Sequence, residues 1–255
     1  MKIALIQTSL AWESPEDNRA NFTKLINGIA QVPDLIVLPE MFATGFTMKP
    51  ERVAETMEGD TVKWMLETAK DRGCAITGSL AIKENGNHYN RLFFVLPNGE
   101  IHTYDKRHLF SLAGEDKEYT AGADRLVISY RGWTICPLVC YDLRFPVFSR
   151  NTEDIDLLLY VANWPTVRVA AWNALLKARA IENMCYVVGV NRTGQDNNGH
   201  DYPGQSQVID CLGAYAEPPS ANEGVLVVEL DKENMLATRN KLGFLNDRDS
   251  FSLQG

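Results

Sequence analysis

The chain is short of basic charge: 25 Lys and Arg stand against 33 Asp and Glu, a formal net charge of −8. Grasping a phosphate backbone needs a basic patch, so this balance opposes a nucleic-acid partner. No apolar run approaches the roughly 18 residues of a membrane span. The opening stretch Met1-Lys2-Ile3-Ala4-Leu5-Ile6-Gln7 is too short in its apolar part for a secretory signal core, so a cytoplasmic protein is expected. Cysteine is sparse and odd in number. Cys74, Cys136, Cys140, Cys185 and Cys211 are scattered through apolar segments, which argues for free thiols in a reducing compartment and against a disulfide framework. His88, His102, His108 and His200 show neither HxH nor HxxxH spacing and no CxxC pair exists, so no metal site is expected. Linkers, repeats and low-complexity tracts are missing too. With 255 residues and 45% hydrophobic composition, one domain over 1–255 and a small-molecule partner are the expectation.

What is present alternates between helix and strand patterns. Residues 2–7 read as a strand. Ser14-Pro15-Glu16-Asp17 reads as a helix start, with Ser14 as N-cap and Pro15 in the first position. Phe22, Leu25, Ile26 and Ile29 then form one buried stripe at i, i+3, i+4 and i+7. The continuous apolar run 34–38 suggests a strand covered on both faces. Asp60 is expected to cap a second helix carrying the stripe Val62, Met65, Leu66 and Ala69. Segments 89–96 and 101–104 flank Pro97-Asn98-Gly99 and read as a hairpin, and 111–122 reads as a polar loop. A strand at 155–161, a helix at about 168–183 and strands at 186–191, 207–210 and 224–230 follow. The polar tail from Asp231 carries Leu242, Phe244 and Leu245, which a partner subunit would cover.

Three strands end in chemically capable side chains. Cys140 stands where the buried strand 133–139 meets the turn Tyr141-Asp142. A thiol there faces the N–H groups of the following turn, which favour a thiolate and can hold a negative oxygen beside the sulfur. Glu40 ends the strand 34–38 and opens the loop Met41-Phe42-Ala43-Thr44-Gly45-Phe46, too apolar for a plain surface turn and therefore read as a pocket wall. Lys106 ends the strand 101–104. Singly, each has a commoner role, as a small buried residue or a solvated charge.

Together and in this order, the segments resemble the nitrilase (carbon–nitrogen hydrolase) superfamily over nearly the full length. The resemblance rests on Leu38-Pro39-Glu40, Tyr104-Asp105-Lys106-Arg107-His108-Leu109 and Cys140-Tyr141-Asp142-Leu143-Arg144-Phe145-Pro146. The last segment, with Asn163-Trp164-Pro165 and Arg179-Ala180-Ile181-Glu182-Asn183, is most similar to the omega-amidase branch, which hydrolyses the terminal amide of 2-oxoglutaramate and related 2-oxo acids. Val147 departs from the pattern, since many members carry glutamate after Phe-Pro.

The resemblance implies an α/β fold, specifically a four-layer αββα sandwich, paired into homodimers to which the tail at about 231–255 would contribute. It implies no metal or organic cofactor. It also implies Cys140 as nucleophile, Glu40 as base, Lys106 as the cation at the oxyanion, and a second glutamate for which Glu115 fits better than Glu118. The N–H of Tyr141 would join Lys106 at the oxyanion. A substrate carboxylate needs a cationic partner in an apolar pocket. Arg168 is assigned that task, with Phe42 or Trp164 packing the carbon chain, and Arg144 is assigned an ion pair with Asp142 or another acid. A Cys–His hydrolase would instead need His108 beside Cys140. A binding protein on this fold would leave Cys140 no more reactive than Cys74 or Cys211.

Overall fold

The computed structural model describes residues 1–252. In it the continuous apolar runs become interior strands. Strands β1 (Lys2–Gln7) and β2 (Leu35–Val37) pair in parallel, joined by helix α1 (Pro15–Asn27). Helices α2 (Pro50–Val53) and α3 (Asp60–Arg72) lead to β3 (Ala75–Glu84), parallel on the other side of β2. The chain then reverses twice, into β4 (Asn87–Val95) and β5 (Ile101–Asp105). The second reversal is the expected hairpin. The first turns on Asn85 and Gly86, both at positive φ (50° and 82°), as a two-residue hairpin turn of the primed type requires.

After the short α4 (Glu115–Glu118), β6 (Ile128–Tyr130), β7 (Trp133–Val139), β8 (Leu157–Ala162), α5 (Val169–Asn183) and β9 (Tyr186–Asn191) build a second sheet with β7, β8 and β9 parallel. A small hairpin, β10 (Thr193–Gln195) and β11 (Asp201–Pro203), stands apart. Strands β12 (Ser206–Ile209) and β13 (Tyr215–Ser220) complete the second sheet, and β14 (Gly224–Glu229) returns to pair with β1. Helix α6 (Lys232–Leu242) ends the order. Each sheet has six strands, with a parallel centre and antiparallel flanks.

Side-chain alternation decides the layering. Ile3 and Leu5 of β1 join Leu35, Val37, Val139, Leu159 and Val188 in a core between the sheets. Ala4 and Ile6 point the other way and meet Phe22 and Ile26 of α1 and Met65 of α3. Trp172, Leu176 and Ala180 of α5 cover the second sheet. The approach is close enough that a Cβ on Gly189 would lie 2.5 Å from Leu176 Cδ1. The result is the four-layer αββα sandwich.

Local details differ from the sequence expectation. The Ser14 hydroxyl donates to Asp17 Oδ2 (2.6 Å) and does not accept from the helix backbone. Asp60 is the first helical residue rather than the cap. Glu55, bridged to Ile82 of β3, accepts from the Thr61 N–H (2.7 Å) and the Thr61 hydroxyl instead, because a longer carboxylate reaches both. In the tail, Met235 and Leu245 are buried within this chain, while Leu242 and Phe244 remain exposed. Tail residues 253–255 lie outside the described residues.

Candidate active site

The carboxyl ends of β2, β5, β7 and β8 deliver Glu40, Lys106, Cys140 and Asn163 to one place, the edge at which parallel sheets commonly carry their ligand sites. Two backbone kinks re-aim the chain there. Cys140 has φ 44° and Met41, just after Glu40, has φ 41°. Non-glycine residues rarely adopt this left-handed region, and such positions concentrate at functional sites.

Lys106 lies between the two carboxylates. Its Nζ donates to Glu40 Oε1 (2.8 Å) and to Glu115 Oε1 and Oε2 (3.0 and 2.9 Å), with all three side chains fully buried. Burial works against the ammonium, but Glu115 and Glu40 outweigh it and hold its pKa above the ordinary lysine range. Glu115 is raised from the usual carboxylate range by burial, opposed by Lys106 and reinforced by Glu40. Burial, then the Glu40 charge, push the Cys140 thiol well above its ordinary value, although Lys106 pulls the other way. This corrects the expectation of a thiolate favoured by the turn's N–H groups. The thiol lies 4.0 Å from the Asn163 carbonyl, with the Glu40 charge acting on it from nearby.

Glu115 enters the site because the expected polar loop folds into α4, which follows Gly114 at φ 80° and turns the carboxylate inward. The Phe110 N–H donates to its Oε2 (2.6 Å). Glu118 is exposed at the other end of this turn. Sequence reasoning missed two further members. Asn90 of β4 donates through Nδ2 to Glu40 Oε1 (2.8 Å) and Glu115 Oε1 (3.1 Å). Asn163 donates its backbone N–H to Glu40 Oε2 (2.8 Å) and its amide to the Glu40 carbonyl (2.6 Å). On its side of β4, Asn90 is flanked by His88 and Leu92, a pattern that does not single it out.

Cys140 and Lys106 open onto a cavity of about 450 Å³ walled by Phe46, Phe110, Tyr141 and Trp164, within the usual size range of small-ligand sites. Arg144 and Arg168 also line it, each with its guanidinium 5.0 Å from an aromatic centroid, Trp164 and Phe110 respectively. Among the described residues neither makes an ion pair. Phe42, expected to pack the substrate, is absent from the lining. The Met41 kink sends its ring into the outer core, 5.4 Å from Phe22 and 5.8 Å from Trp64. The expected Arg144–Asp142 pair is absent as well, because Asp142 is fully occupied. It accepts from Tyr104 Oη (2.7 Å), the N–H groups of Val139 (2.9 Å) and His108 (3.1 Å), and contacts His108 Nδ1 (2.7 Å). His108 is therefore committed to Asp142 and stacked on Phe145 at 3.7 Å, not placed as a base for Cys140.

This geometry can accept a proton from a thiol, hold a fixed positive charge beside it and keep an anion in the adjoining cavity. The carbon–nitrogen hydrolase family model matches residues 2–240. The omega-amidase YafV of Yersinia enterocolitica is 46% identical over 99% of this chain and 98% of its own. The 2-oxoglutaramate amidase of Bacillus subtilis (strain 168) is 31% identical over 96% of each. Among solved structures, a CN-hydrolase superfamily protein from Xanthomonas campestris, carrying an arsenic adduct in its active site, superposes with a TM-score of 0.96 at 42% identity, covering 100% of this chain and 99% of that one.

Proposed function

The chain belongs to the carbon–nitrogen hydrolase family, and on that premise we propose that it is a cysteine-dependent amidohydrolase cleaving the terminal amide of a short 2-oxo acid, with 2-oxoglutaramate the first substrate to test. The observation that carries the reading is the buried Glu40–Lys106 ion pair beside Cys140, at a cavity lined by two guanidiniums that make no ion pair among the described residues. Glu40 takes the thiol proton as sulfur attacks the amide carbon. The oxygen that becomes negative is held by Lys106 and the Tyr141 N–H, at the start of the turn after β7. Collapse expels ammonia, with the proton returned from Glu40, and leaves a thioester. Glu40 then deprotonates a water positioned with Glu115. Hydroxide adds to the thioester, the acid departs and sulfur regains its proton. Residues 1–255 act in this reading as one hydrolase domain that pairs as a homodimer.

Arg168 supplies the charge for the substrate carboxylate, with Trp164 against the carbon chain. The test is ammonia release from a panel of 2-oxoglutaramate, neutral amides, nitriles and N-carbamoyl compounds. Cys140→Ala should release none. Arg168→Met should raise KM for 2-oxoglutaramate by one to two orders of magnitude, the ~1.5–3 kcal/mol of a charge-assisted hydrogen bond, and spare a neutral amide. Equal loss on both substrates would make Arg168 structural. A wild-type preference for neutral amides would remove the 2-oxo acid from the reading.

A further inference from the structure

Asn90 occupies a position the proposed chemistry has not used. It is 1% exposed, and its Nδ2 bridges Glu40 Oε1 and Glu115 Oε1 while its Oδ1 is buried without a partner among the described residues. Its carbonyl accepts from the Lys106 N–H (3.0 Å), so β4 fixes the amide and the lysine relative to each other. An orphaned buried carbonyl oxygen is costly. The opposite amide orientation would be worse, because it would aim that oxygen at two carboxylates. The amide therefore faces the site by its donor end only.

We infer that Asn90 is a positioning residue that makes Glu40 a one-sided base. Glu40 Oε1 already takes two donors, Lys106 Nζ and Asn90 Nδ2, whereas among the described residues Oε2 takes only the Asn163 N–H. Oε1 is thus the poorer proton acceptor, and the Cys140 proton is directed to Oε2, on the Asn163 side, where the thiol also lies 4.0 Å from the Asn163 carbonyl. Lys106 cannot do this alone, since its ammonium is shared with both Glu115 oxygens. Lys106, Glu115, Cys140, Tyr119 and Tyr202 also act electrostatically with Glu40. An apparent pKa measured here accordingly belongs to the whole set.

The inference rests on Glu40 as the base, and a readout independent of any amide separates the two. Asn90→Leu deletes the donor with the same branching, and Asn90→Asp keeps the shape while replacing the donor with an acceptor. Thr77→Val, which removes a buried hydroxyl from the same sheet, controls for general loosening. Each is melted, then followed by the pH dependence of both kcat/KM and Cys140 alkylation by iodoacetamide. Losing a donor disfavours the Glu40 carboxylate, so in Asn90→Leu the acid limb of both profiles should move up by about one pH unit. Asn90→Asp should move it further, and Thr77→Val should leave it in place. A limb unmoved in folded Asn90→Leu overturns the positioning role, as does an equal shift in Thr77→Val. If Asn90→Leu does not fold, an unmoved limb in Asn90→Asp overturns it. If Glu40→Gln leaves the alkylation profile of the wild type intact, Glu40 itself is not the base, and that failure is distinct.

Discussion

Lys106 is a charge that cannot be moved. Its ammonium touches three carboxylate oxygens, and the surrounding buried space is shaped for one nitrogen. A guanidinium is planar and spreads its donors, so Lys106→Arg should lose at least ~100-fold in kcat, nearly as much as Lys106→Ala. Near-normal turnover by the arginine variant would reject a fixed cation at the oxyanion. At this scale the sequence was informative where chemistry sits at strand ends. Glu40, Lys106 and Cys140 are all legible as polar residues at the ends of strand-like segments. Asn90 was not, because nothing in a sequence distinguishes an amide facing two carboxylates from one facing solvent. Phe42 was misread for a similar reason: the φ of Met41, which decides which way the next ring points, leaves no mark in composition.

The turn after β7 is held by one acid. Asp142 ties its start through the Val139 N–H, β5 through Tyr104, and the Lys106 segment through His108. This carboxylate accordingly sets the distance between the nucleophile and the lysine. Asp142→Asn turns one accepting oxygen into a donor facing donors. It should lower stability by roughly 2–4 kcal/mol in urea unfolding and reduce kcat with it. Retention of both would mean that the backbone alone keeps the turn. Helices α1, α3 and α5 and the interior strands followed from apolar spacing, whereas α6 lies in what reads as a polar tail. The Asn85-Gly86 turn was within reach of sequence too, through its Asn-Gly pair between two strand-like runs. The inward turn of Glu115 was not, because 111–122 carries no apolar period and its fold is dictated by what lies beneath it.

Across the whole molecule, burial leaves protonated many groups that would ionise in an unfolded chain. Cys74 is pushed up to about 11 and Cys136 to about 12, in both cases chiefly by loss of solvent. Acids whose folded pKa is raised give stability that is complete below their unfolded value, near 9, and is lost as pH climbs through the folded one. The Tm should therefore be flat from pH 7 to 8.5 and at least ~5 °C lower at pH 11, in thermal scans at constant ionic strength. A level Tm to pH 11 would contradict the burial of these thiols.

Glu40, Asn90, Lys106 and Glu115 arrive on or just beyond the first sheet, and Cys140 and Asn163 on the second. Neither sheet holds a working set by itself, so turnover reports the docking of one upon the other. Long-range pairings form slowly relative to local ones. After dilution from denaturant, ammonia release should return only with the phase that buries Trp133 between the sheets, later than the recovery of helical signal. Catalytic recovery ahead of that tryptophan change would mean that the site can assemble before the interior closes. On that expectation competence marks the docking of the two sheets, gained when they meet and lost when they part.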